Sequence, residues 1–115
     1  MIYSPRAFQL LAKEIFGCER DDRNFRSHVG CSSDVCSVLW ERIQRARALR
    51  MMPKHLLWAL HFLKSHSNES VLAGRVGVTR KTFRKWIWKV LRAIALLKPK
   101  VVSLLLSLFL QLKCI

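Results

Sequence analysis

ESVLAGRVGVTRKTFRKWIW, residues 69–88, decides how this chain folds. It reads as a helix, a tight turn and a second helix. Leu72 and Ala73 mark the inner face of the first helix. Val76-Gly77-Val78 makes the turn, because Gly77 accepts the positive φ that a side chain resists. Thr79 is an N-cap, its hydroxyl placed to satisfy an orphan N–H of the next turn. Beyond it Phe83, Trp86, Ile87 and Val90 recur at three- and four-residue spacing and form one apolar stripe. Arg80, Lys81, Arg84, Lys85 and Lys89 fall mostly off that stripe. A small residue at the helix crossing, a glycine in the turn and apolar anchors on both sides predict a helix-turn-helix over residues 69–91. The competing reading is a plain helical hairpin with a solvated basic face. The exposed positions of 80–89 carry no acid, so no i,i+4 ion pair within the helix offsets the repulsion. That repulsion favours a polyanionic partner.

The whole chain has 115 residues and a formal net charge of +14, the size of one domain with a modest core. The charge is segregated. Residues 1–41 hold five basic and six acidic side chains, whereas residues 42–100 hold fifteen Lys/Arg against Glu69 alone. Nucleic acid fits this pattern first and an anionic membrane surface second. Cys18, Cys31, Cys36 and Cys114 form no CxxC motif, and residues 1–16 lack a secretory signal. Free thiols in a nuclear or cytoplasmic, not secreted, protein are expected. His28, Cys31 and Cys36 match no common zinc module, so buried structural thiols are expected instead.

Taken in order, Ser4-Pro5 opens a helix closed by Gly17, with Phe8, Leu11, Ala12 and Ile15 on its stripe. Cys18–Asn24 reads as a polar connection, and Phe25–Val29 as a short helical turn stopped by Gly30. Residues 1–24 are accordingly set apart from a helical domain at 25–100. Ser32 or Ser33 caps a helix to about Arg47, with Val35, Cys36, Val38, Leu39, Trp40 and Ile43 inside. Arg42, Arg45, Arg47 and Arg50 read as a solvated helix end and loop. Pro53 starts a helix whose apolar face is Leu56, Leu57, Leu60, Phe62 and Leu63. His55, His61 and His66 read as hydrogen-bonded or solvated surface histidines, not metal ligands. Asn68 caps the first helix of the pair, and the second runs through Leu91, Ile94 and Leu97 until Lys98-Pro99-Lys100. Val101–Ile115 is an apolar low-complexity tail, too short to span a bilayer at about 20 residues per crossing.

Three segments carry a resemblance: FRSHVGCSSDVCSVLWERI (25–43), MPKHLLWALHFLKSHSNES (52–70) and GVTRKTFRKWIWKVLRAIALL (77–97). Together they resemble the N-terminal region of Harbinger-type DDE transposases. In such proteins comparable segments precede an RNase H-like nuclease domain and bind the element's DNA. The resemblance implies that Lys81, Thr82, Arg84, Lys85 and Trp86 belong to the DNA-facing helix or its support. It stops near Val102, and no Asp or Glu follows Leu97. The carboxylates that hold two metals in that nuclease are absent, so the expectation is a truncated, non-enzymatic module.

The fold expected is therefore a small all-α domain with a helix-turn-helix and an apolar C-terminal tail. Its expected partner is double-stranded DNA, with no cofactor, metal or small-molecule substrate. Arg75, Thr79, Arg80, Lys81, Thr82, Arg84, Lys85 and Lys89 are the candidate contacts. Phe83 and Trp86 are assigned to the core, and Trp88 to helix packing in preference to a sugar–phosphate face. A small helix-turn-helix regulator is the alternative, and a membrane-surface protein acting through the tail a weaker one.

Overall fold

The computed structural model describes residues 3–17, 22–44, 46–47, 50–65 and 68–97. Over these the chain is all-helical: α1 (Pro5–Phe16), α2 (Asp22–Val29), α3 (Ser33–Arg42), α4 (Pro53–Ser65), α5 (Glu69–Val76) and α6 (Arg80–Ala95). The tail 101–115, the expected stop at Lys98–Lys100, Arg45, His66, Cys18 and Cys114 lie outside the described residues.

Local signals set most helix ends. The Ser4 hydroxyl accepts from Ala7 N–H at 3.1 Å ahead of Pro5, and Gly17 closes α1 in the left-handed region at φ 70°. Asn68 Oδ1 accepts from Val71 N–H at 2.9 Å to start α5. Ser32 caps α3, accepting from Val35 N–H at 3.2 Å. The neighbouring Ser33 does something else: its N–H and hydroxyl both donate to Asp22 Oδ1 at 3.1 Å. That carboxylate also pairs with Arg26 at 3.0 Å, so α2 begins at Asp22 and not at Phe25. A polar residue inside the expected connection is thus a helix start tied to the head of α3.

α4 is the central helix, packed against α1, α2, α3 and α6. Every residue from His55 to His61 is buried. This overturns the surface assignment of His55 and His61, which are 4% and 8% exposed. The five consecutive apolar residues Leu56–Leu60 leave no polar face, and a helix apolar all round belongs in a core. The flanking imidazoles are carried inside with it, each using Nδ1 in a hydrogen bond, while His61 Nε2 is buried without a partner. His61 Nδ1–H donates to the His28 carbonyl at 2.6 Å, and its ring lies 4.5 Å from that of Phe16. Leu63, expected on the apolar face, is exposed near the helix end.

Two further expectations are corrected in α3. The helix ends at Arg42, not Arg47. The chain turns at Ile43, which allows the Arg47 guanidinium to fold back over the Trp40 ring at 4.1 Å. Val38, expected inside, is 56% exposed. At 100° per residue it falls roughly opposite the buried face of Ser33, Cys36, Ser37 and Trp40. Cys31 and Cys36 are buried as expected, with their sulfurs 3.5 Å apart. Burial and the Cys31 thiol together push the Cys36 thiol well above its ordinary range.

Candidate nucleic-acid interface

α5 and α6 are joined by Gly77, Val78 and Thr79. The join is a Schellman cap. Val78 N–H donates to the Ala73 carbonyl at 3.0 Å and Gly77 N–H to the Gly74 carbonyl at 3.3 Å, with Gly77 left-handed at φ 76°. Thr79 Oγ1 then accepts from Thr82 N–H at 3.2 Å, and the two threonine hydroxyls meet at 3.0 Å. Thr79 and Thr82, both candidate DNA contacts, are thus used to start α6.

The inner side of α6 buries Phe83, Ile87, Val90 and Ala93. Phe83 stacks toward Trp58 at 5.9 Å and meets Phe62 edge-on at 6.4 Å. Trp86 lies at the rim of this core, half-buried and parallel to His55 at 3.9 Å and 4°. Lys89 and Lys85 approach the Trp86 ring at 4.8 Å and 5.6 Å. The His55 ring is itself fixed by the start of α4. Its Nδ1 accepts from Met52 N–H at 2.9 Å, while His55 N–H donates back to the Met52 carbonyl at 2.9 Å. The side-chain bond is one half of a capping box, with histidine in the place of Glu or Gln and a backbone carbonyl in place of the Ser or Thr hydroxyl. An accepting Nδ1 puts the proton of the neutral ring on Nε2. Burial, then the Lys54 and Lys89 charges, push the His55 pKa down to about 4.

On the outer side Arg80, Lys81, Arg84, Lys85 and Trp88 surround an open depression of about 530 Å³. Lys89 is turned toward Trp86 instead, and Arg75 stands on α5, where its charge acts on His61. Trp88 is not packed against a helix: it is 53% exposed among the cations. Helical phase explains this. Trp88 falls about 80° round the axis from Arg80, on the side away from Phe83, Ile87 and Val90.

Among the described residues one acid reaches this face, and it comes from the other helix. Glu69 Oε2 lies 3.5 Å from Arg80 Nε and 3.9 Å from Arg84 Nε. At those separations the carboxylate oxygen makes no hydrogen bond and remains buried without one. The repulsion on α6 is therefore offset across the turn, which a search for i,i+4 partners within α6 cannot reveal. Glu69→Gln is expected to change stability by under about 1 kcal/mol, because both arginines are more than half exposed. The same substitution should tighten polyanion binding several-fold at low salt, read by anisotropy against a labelled duplex.

Among the described residues there is no group of three or more His, Cys, Asp or Glu placed to hold a metal, and no helix long and apolar enough to cross a membrane. What the fold defines is a small all-α domain whose last hairpin presents a cationic helix face. Comparison of the chain with protein-family models, curated proteins and solved structures returned no match.

Proposed function

We propose that this protein binds double-stranded DNA through α6, as a helix-turn-helix module of transposase-derived type. One observation carries the reading: Arg80, Lys81, Arg84 and Lys85 share a single exposed face of a helix whose other side is anchored in the core. Cations at this spacing neutralise phosphates along the walls of a groove that admits an α-helix. The first turns of α6, with Lys81 and Arg84 on its central line, are the part that reaches base edges. Arg75, on α5, is an outlying phosphate contact. The segments at 25–43, 52–70 and 77–97 that resemble Harbinger-type transposases support the same assignment.

The test is the double variant Arg84→Ala, Lys85→Ala. Duplex binding should weaken by about 1–3 kcal/mol, and each lost phosphate contact should remove about 0.9 from the slope of log K against log salt. Anisotropy across a salt series measures both quantities. Unchanged affinity and slope would move the binding surface off α6.

A further inference from the structure

We propose that Trp88 reads thymine, packing its indole on the 5-methyl group exposed in the major groove; this rests on the duplex-binding reading above. The indole is the one large apolar side chain in the cationic depression, and 53% of it is open to solvent. The other three tryptophans are engaged elsewhere. Trp40 carries the Arg47 guanidinium, Trp58 faces Phe83, and Trp86 stacks on His55.

Its angular position sets what it would meet. Taking Arg80 as zero and about 100° per residue, Arg84 lies near 40°, Lys81 near 100° and Lys85 near 140°. Trp88, near 80°, is central among them. With α6 laid in a groove, the outermost positions Arg80 and Lys85 face the two phosphate walls, and the central line faces the floor. Along the axis Trp88 is about 12 Å from Arg80, so its contact is separate from that of the first turn. The floor of the major groove offers hydrogen-bonding edges and one apolar group, the thymine methyl. An indole face laid there gains by covering a methyl, an apolar surface that cytosine and guanine do not present. Charge complementarity selects the duplex, and the indole selects the base.

The experiment compares two duplexes of the same alternating sequence, one with dA·dT pairs and one with deoxyuridine replacing every thymidine. Only the methyl groups differ. The full chain is titrated into each by anisotropy at fixed salt, alongside Trp88→Ala. Wild type should bind the thymine duplex about fourfold tighter, the ratio corresponding to one buried methyl. Trp88→Ala should bind both duplexes equally, at the wild-type salt slope, since no charge is removed. Equal wild-type affinity for the two duplexes overturns the proposal without calling on the variant. A Trp88→Ala loss of equal size on both assigns the indole to the sugar–phosphate backbone and also overturns it. Failure of wild type to bind either duplex at low salt removes the duplex reading, and this inference with it.

Discussion

Phe83→Ala is expected to cost about 3–5 kcal/mol of folding stability, the usual range for truncating a fully buried phenylalanine. The ring is 1% exposed and lies between α4 and α6, touching Trp58 and Phe62 across the interface. On the α4 side its neighbours are the buried Trp58 and the partly buried Phe62. A domain of this size has about 5–15 kcal/mol in total, so the variant should unfold at far lower urea than wild type. Phe83→Leu keeps most of the volume and should cost much less, below about 1.5 kcal/mol if the site repacks. Urea unfolding followed by far-UV circular dichroism separates the two. The contrast with the Arg84/Lys85 double variant is the useful part. Those side chains are solvated, so their removal should change ligand binding and leave the unfolding midpoint nearly where it was.

The second large effect is on pH dependence. Folded His55 titrates near 4, whereas an unfolded chain binds that proton near 6.5. Between those values the unfolded state carries a proton that the native state refuses, so stability rises with pH across the window. Acidification from pH 7 to about 4 should therefore remove about 3 kcal/mol through this ring. His61, whose pKa is also lowered chiefly by burial, adds to the loss in the same direction. His55→Gln isolates the contribution. Glutamine at this position can still accept from Met52 N–H as a capping-box partner, yet it does not titrate. Its unfolding midpoint should depend less on pH between 4 and 6.5 than that of wild type. An equal dependence in both proteins would place the proton uptake elsewhere.

These effects also show where sequence reasoning reached and where it stopped. Signals confined to one helix were legible: Ser4 with Pro5, Asn68, Gly77 and Thr79 as punctuation, and Phe83, Ile87 and Val90 as a stripe. So was the cationic outer face of α6. Partners brought from another element were not. Glu69 meeting Arg80, His55 stacking on Trp86 and Asp22 reaching Ser33 depend on how helices are set against one another. Periodicity carries no such information. Two errors did have a readable cause. Leu56–Leu60 has no polar face, which already argued for a fully buried α4 and against surface histidines. The angle of Trp88 from Phe83 already placed it outside.

The two sides of α6 are one rigid object. Its inner side holds Phe83, Ile87, Val90 and Ala93 in the core, and Thr79 caps its first turn. The helix cannot leave the domain while the remainder stays folded, so whatever grips its outer face is thermodynamically linked to global unfolding. Ligand at a hundred times its dissociation constant would raise the unfolding free energy by about 2.7 kcal/mol. A melting curve recorded with and without duplex thus becomes a binding assay, with the core itself as the reporter.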